Sequence, residues 1–187
     1  MLAADTYVEV RIDGLAQFHT HLHELADTVS VEFCERIVLE DLRIDRIHVA
    51  CPGELKGVNV KTLPYPGFPT DMQAQIMAMM TICQGRSTVM ETVFENRFMH
   101  VIELNRMGAN ITTTGARGAI IEGPAKLTGC EVSATDLRAG AAMILAGLVA
   151  EGTTTVGNLH HIDRGYEDIV GKLQSLGADI QRISIKD

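Results

Sequence analysis

Apolar and polar positions along this chain follow one template twice. From Pro69 to Ile111 and again from Ala134 to Ile180, the sequence opens on Thr-Asp (Thr70-Asp71; Thr135-Asp136) and runs through an Ala- and Met-rich stretch. It then reaches a glycine followed by a Thr/Val-rich run (Gly85 to Val89; Gly152 to Val156) and carries an arginine (Arg97; Arg164). A second amphipathic segment follows, and each copy closes on Met/Leu-Gly-Ala-x-Ile (Met107 to Ile111; Leu176 to Ile180). Self-similarity of this kind marks a duplicated supersecondary unit.

Each part of the template predicts an element. Thr70 and Thr135 are good helix N-caps, and the aspartate after each sits well against a helix N-terminus. Helices are expected over Gln73 to Ile82 and Leu137 to Val149, with apolar residues around much of their circumference, as interior helices require. Gly85 and Gly152 act as stops. Ser87 to Met90 and Thr153 to Val156 favour short strands, and Met99 to Met107 and Tyr166 to Leu176 read as amphipathic helices ended by Gly108 and Gly177. Strands at Ile111 to Thr114, Ala119 to Glu122 and Ile180 to Ile185 complete an α/β unit of βαβαββ type.

The N-terminal third reads as a worn copy. It offers a strand at Tyr7 to Ile12, a helix at Ala16 to Leu25, and strands at Val29 to Phe33 and Ile44 to Ala50, without the opening Thr-Asp. A start at Met1 with only a scrap of the expected first helix points to truncation. Cys51-Pro52-Gly53 and Pro64 to Pro69 mark turns inside a domain rather than a linker. One domain over 1–187 is therefore expected, with units at about 1–62, 63–128 and 129–187.

Composition narrows the function classes. With 187 residues and 46% hydrophobic content, the chain can bury a sizeable core. A net charge of -8 with scattered Lys and Arg argues against a nucleic-acid partner. Its longest apolar stretch, Ala139 to Ala150, is too short to span a bilayer, so a soluble cytoplasmic protein is expected. The four cysteines, Cys34, Cys51, Cys83 and Cys130, form no CxxC pair, which indicates neither a zinc knuckle nor a disulfide framework.

Two readings of Asp71 stand side by side: a carboxylate complementing a helix N-terminus, or a base at the end of a rigid element. Asp136, at the equivalent place, is expected to orient a neighbouring arginine. Arg97, Arg138 and Arg164 form a set, because two occupy the same place in the repeat. Arg138 lies in a helix's first turn, where a cation opposes the dipole and stability alone would not put it. Converging guanidinium groups hold phosphate and carboxylate, although each could equally make a surface salt bridge. His19, His21 and His23 have the look of a metal site, but only His19 and His23 would share a helix face and no further ligand cluster accompanies them. No metal is expected.

The segments KTLPYPGFPTDMQAQ (Lys61 to Gln75), ETVFENRFMHVIELNRMGA (Glu91 to Ala109), LTGCEVSATDLRAGAAMILAGLVAEGTT (Leu127 to Thr154) and HIDRGYEDIVGKLQSLGADI (His161 to Ile180) resemble the UDP-N-acetylglucosamine 1-carboxyvinyltransferases. The likeness covers about residues 54 to 183, and residues 1 to 53 follow it only in broad pattern. It implies the inverted α/β, barrel-like fold of the enolpyruvyl transferases, in which two domains are each built from repeated βαβαββ units; this chain would be one of them, the C-terminal part. It also implies transfer of enolpyruvyl from phosphoenolpyruvate to the 3-hydroxyl of UDP-N-acetylglucosamine in peptidoglycan precursor synthesis, with no cofactor.

By the same resemblance, Asp71 faces the attacking sugar hydroxyl as the proposed base. Thr70, Val93 and Phe94 belong to the sugar-nucleotide site, and Arg97, Arg138 and Arg164 bind the carboxylate and phosphate of phosphoenolpyruvate. The family's Lys-Asn pair and its mobile cysteine loop have no counterpart here, so the isolated chain is expected to be catalytically incomplete. The alternative is a shortened homologue acting as a ligand-binding or interaction module, pairing with a complementary N-terminal domain or with itself. A shikimate-pathway transferase shares the fold, but TDMQAQ and FENRFMH favour the sugar-nucleotide branch.

Overall fold

The computed structural model describes residues 8–11, 46–49 and 54–183. Strands β1 (Val8–Arg11) and β2 (Arg46–Val49) form an antiparallel pair. The expected helix at Ala16 to Leu25, the strand at Val29 to Phe33 and the His19/His21/His23 stretch lie outside the described residues.

From its first helix on, the middle of the chain has the predicted order, and the strand before that helix, at Asn59–Lys61, is an addition to it. Strand β3 (Asn59–Lys61) leads through a 3-10 turn (Thr70–Met72) into α1 (Gln73–Met80), which crosses to β4 (Gly85–Met90), parallel to β3. Helix α2 (His100–Arg106) follows, then β5 (Ile111–Thr113) and β6 (Gly118–Gly123). The four strands lie in the order β3-β4-β6-β5, with β6 antiparallel to both neighbours. Alternation along the strands decides which face meets the helices. Val60, Val89, Ala119 and Ile121 are buried on it, and the register pairs Val60 with Val89 and Val89 with Ala119.

The crossover then recurs. Strand β7 (Glu131–Ser133) leads through α3 (Leu137–Val149) to β8 (Thr155–Gly157), parallel to β7, followed by α4 (His160–Asp163) and α5 (Ile169–Ser175). The likeness extends to single hydrogen bonds. Gln84 N donates to Leu55 O and Gly57 N to Gln84 O; Glu151 N donates to Leu127 O and Gly129 N to Glu151 O. Gly57 and Gly129 stand where a Cβ would lie 2.4 Å from the carbonyl oxygens of Arg86 and Thr153 respectively, so only glycine lets these strands close. After α2 and α5, Gly108 and Gly177 adopt left-handed φ values of 99° and 90°, and Ala109 and Ala178 donate back to Leu104 O and Leu173 O. Both helices thus end in the same glycine-capped motif.

Helices α1 and α3 pack against each other at the centre. Ala74, Met77, Ala78 and Met80 from α1 share one core with Ala142, Met143 and Ala146 from α3, closed by Leu104, Met107 and Ile121. Small residues bring the backbones close, and methionines fill what remains. Each of the fully buried large side chains contributes about 1.5–3 kcal/mol by leaving water. Helix α3 also receives α4 at Gly140, where Ile162 lies against the bare Cα.

Four expectations are corrected. Thr70 does not cap a helix: its hydroxyl makes no cap bond, and the cap position of the 3-10 turn falls on Pro69. Asp136 rather than Thr135 caps α3, its carboxylate accepting from Arg138 N (2.8 Å) and Ala139 N (2.9 Å). A carboxylate one bond longer in reach and fully charged is the better acceptor for two N–H groups. The helix expected from Tyr166 begins at Ile169, because Asp168 takes φ 45° and caps it by accepting from Gly171 N. The strand expected from Ile180 does not form over residues 180–183, whereas β5, its counterpart in the middle of the chain, is paired along β6. A strand is held by its ladder, and residues 180–183 have none among the described residues.

Candidate functional site

Two chain segments and one helix start converge at the N-terminal end of α1. The turn Thr70–Met72 carries Asp71, the loop after β4 carries Arg97, and the first turn of α3 carries Arg138. Arg138 Nε donates to Asp71 Oδ1 at 2.6 Å, and its Nη2 lies 2.5 Å from the same oxygen. Arg97 Nη1 approaches Asp71 Oδ1 at 3.7 Å, an ion pair too long to be a hydrogen bond. Its guanidinium carbon lies 4.4 Å over the Phe94 ring, a cation–π contact that fixes the plane of the charge. One carboxylate therefore sits between two cations, and it remains 64% exposed while Arg97 is only 21% exposed.

Arg97 carries an uncommon feature: its Nη1 is buried and has no hydrogen-bond partner within the chain. An unsatisfied buried guanidinium N–H is costly, so a water or a bound anion is the acceptor it calls for. Arg97 follows Asn96, which takes a left-handed φ of 57°.

The support beneath this cluster escaped sequence reasoning. Glu91, fully buried at the end of β4, accepts from Thr62 Oγ1, Val93 N and Phe94 N through Oε1, and from Thr70 Oγ1 through Oε2. Burial by itself raises the carboxyl pKa, but the hydrogen bonds from Phe94, Thr62, Thr70 and Val93 outweigh it and hold Glu91 below the ordinary carboxylate value. The same loop is braced from outside by Arg117, which donates to Thr92 O and Glu95 Oε1. Periodicity could not have found Glu91, since a polar residue after a strand reads as a turn. The clue in hindsight is its position two residues before Val93.

Of the residues singled out from sequence, Asp71, Arg97, Arg138 and Phe94 meet directly. Thr70 and Val93 join them through Glu91, Val93 by its backbone N–H. Arg164 takes no part in the ion pairs on Asp71; it is exposed at the end of α4. Its surroundings are tied to the helices, because a Cβ on Gly165 would lie 2.7 Å from Leu137 Cδ2 and Tyr166 Oη accepts from Gln75 Nε2. Asp136 bonds the backbone of Arg138, not its guanidinium. The rings of His160 and His161 meet at a tilt of 39° with centres 4.0 Å apart, and among the described residues no three His, Cys, Asp or Glu side chains are grouped to hold a metal. No helix among those residues is long and apolar enough to cross a membrane.

Known proteins resemble this chain over nearly its whole length. The family model for EPSP synthase (3-phosphoshikimate 1-carboxyvinyltransferase) matches residues 2–173. A UDP-N-acetylglucosamine 1-carboxyvinyltransferase of Finegoldia magna is 62% identical over 154 residues, which is 82% of this chain and 36% of the relative. The UDP-N-acetylglucosamine 1-carboxyvinyltransferase 2 of Clostridium tetani is 52% identical over 181 residues, 97% of this chain and 42% of the relative. This chain thus spans well under half the length of these relatives. Among solved structures, the enolpyruvyl transferase NikO from Streptomyces tendae superposes with TM-score 0.79 at 27% identity, over 95% of this chain and 40% of that one. EPSP synthase from Acinetobacter baumannii shares the fold at TM-score 0.55 and 19% identity, over 86% of this chain and 39% of that one. The mixed sheet, the repeated crossover and these matches together show that the chain belongs to the EPSP synthase family of enolpyruvyl transferases.

Proposed function

We propose that this chain supplies one side of the active-site cleft of a UDP-N-acetylglucosamine 1-carboxyvinyltransferase. The whole enzyme would move enolpyruvyl from phosphoenolpyruvate to the 3-hydroxyl of the sugar nucleotide and release phosphate, in the cytoplasm, as a step of peptidoglycan precursor synthesis. The observation that carries this reading is the exposed Asp71 carboxylate between Arg97 and Arg138, with Arg97 Nη1 unsatisfied.

In this role Asp71 takes the proton of the attacking hydroxyl, and the two guanidinium groups stabilise negative charge on the phosphate and carboxylate as the sugar oxygen adds to the enolpyruvyl carbon. Thr70, Val93 and Phe94 shape the sugar-nucleotide side, and Arg164 completes the anion site when a ligand draws it in. The proton for the methylene carbon has to come from elsewhere, since the cysteine loop of the family has no counterpart in this sequence. We also propose a single domain over 1–187 built from units at about 1–62, 63–128 and 129–187; the pairing of β3 with β4 supports drawing the second unit back to include Asn59–Lys61.

Phosphate release measured on the purified chain with both substrates tests the claim. Negligible turnover alone, rising when a complementary N-terminal domain is added, is the expected result. Substantial turnover of the chain by itself would refute the incompleteness. A second reading, an interaction module, is favoured by Leu145, Leu148 and Val149, which lie together near the end of α3 and are each 40–43% exposed. Strictly monomeric sedimentation, with no binding to a complementary domain, would count against it.

A further inference from the structure

We propose that Glu91 is the positioning residue of the Asp71–Arg97–Arg138 cluster, a single buried carboxylate that fixes the turn carrying Asp71 and the loop carrying Arg97 relative to each other. The functional weight of this inference rests on the anion-binding reading above, but its structural content does not.

Asp71 and Arg97 come from segments separated by the whole of α1 and β4, and neither segment is regular enough to hold a side chain by its own ladder. Glu91 bonds both. Through Oε2 it accepts from the Thr70 hydroxyl at 2.8 Å, one residue before Asp71. Through Oε1 it accepts from Val93 N at 2.8 Å and Phe94 N at 3.1 Å, at the start of the loop that ends in Arg97. Phe94 in turn carries the Arg97 guanidinium on its ring.

Glu91 is itself held. Thr62 donates to Oε1 while its own hydroxyl oxygen accepts from Thr92 N, so the orientation of that hydroxyl is settled. Both carboxylate oxygens are satisfied by donors, no cation pairs with Glu91 among the described residues, and the group is fully buried. A buried ionised carboxylate without a cation is a poor choice for stability alone, because apolar residues of similar volume would cost less desolvation. What it supplies is a rigid joint between two irregular segments, of the kind an active site needs behind its reacting groups.

The test reads the joint at its far end. Arg138 Nε–H donates to Asp71, so its exchange with solvent, followed by arginine side-chain NMR, reports whether Asp71 is held. Glu91→Ala strands four donors in the core and can fail to fold, so the decisive variant is Thr70→Val, which cuts only the link to the Asp71 turn. Hydrogen bonds to charged acceptors are strong enough that Thr70→Val should speed exchange at Arg138 Nε by about tenfold, and Thr70→Ser should restore it. Leu104→Ala, a core variant that loses at least as much stability, should leave the Arg138 signal as in the unaltered chain. Unchanged exchange in Thr70→Val overturns the proposal, as does equal acceleration in Leu104→Ala. Titration of the same samples with inorganic phosphate is a separate arm. Absence of any shift at Arg97 in the unaltered chain would refute the anion-site reading while the Arg138 signal still decides the role of Glu91.

Discussion

Acidification from neutral pH should destabilise this protein through His100. His100 opens α2 but points inward, 3% exposed, with Nε2 3.3 Å from Met77 Sδ and its ring 6.3 Å from that of Phe98. Burial lowers its pKa from 6.5 to about 4, opposed only in part by the charge of Asp136. The folded chain therefore keeps the imidazole neutral over a range in which the unfolded chain protonates it. Its contribution to stability is fully present above the unfolded value of 6.5 and is lost as pH falls through the folded value of about 4.

The full difference corresponds to about 3 kcal/mol, of which about 2 kcal/mol is gone by about pH 5. Urea unfolding followed by circular dichroism at about pH 7.5 and about pH 5, on the unaltered chain and on His100→Leu, isolates this term. Taking the pH difference within each protein removes the packing cost of the substitution and cancels the remaining histidines. The unaltered chain should lose about 2 kcal/mol more than His100→Leu over this interval. Equal losses would mean that His100 is solvated or protonated in the folded state, and the placement of α2 against Met77 would be wrong.

Two further outcomes follow from the packing and the charges. Gly140→Ala improves helix propensity by about 1 kcal/mol but sets a methyl 2.5 Å from Ile162 Cγ1 and 3.0 Å from Ala134 Cβ, so urea unfolding should show a net loss of about 1–3 kcal/mol; a gain would refute the close approach of α4 to α3. Asp71→Asn removes the anion between two guanidinium groups, so phosphate affinity measured by calorimetry should rise severalfold while stability changes by less than about 1 kcal/mol; weaker phosphate binding would refute the competition between Asp71 and an external anion.

Elements built on local chemistry were legible without a structure. The span of α3, Leu137–Val149, follows from an unbroken run of Ala, Met, Leu and Ile with glycines small enough for close packing. The strands β4 and β6 and the glycine ends of α2 and α5 were equally local. Where reasoning failed, a rival local group had won. Asp136 displaced Thr135 as the cap, and Asp168 began α5 three residues late. At the site, the arginine repeat pointed to Arg97 and Arg164 as a pair, yet of these two Arg97 alone pairs with Asp71, and the second cation on the same oxygen is Arg138, reaching across from α3.

Local pattern carried the alternation of helices and strands, the recurrence of the helix-to-strand crossover, and the residue types a phosphate or carboxylate would need. Periodicity, propensity and glycine conformation act over a few residues, so they are written in order along the chain. Tertiary structure alone decided that Thr70 serves Glu91 rather than a helix, that His100 is buried neutral, and that Asp71 lies between two cations. These depend on which groups meet across separations of 21 to 67 residues, where burial and hydrogen-bond satisfaction, not local pattern, select the partner.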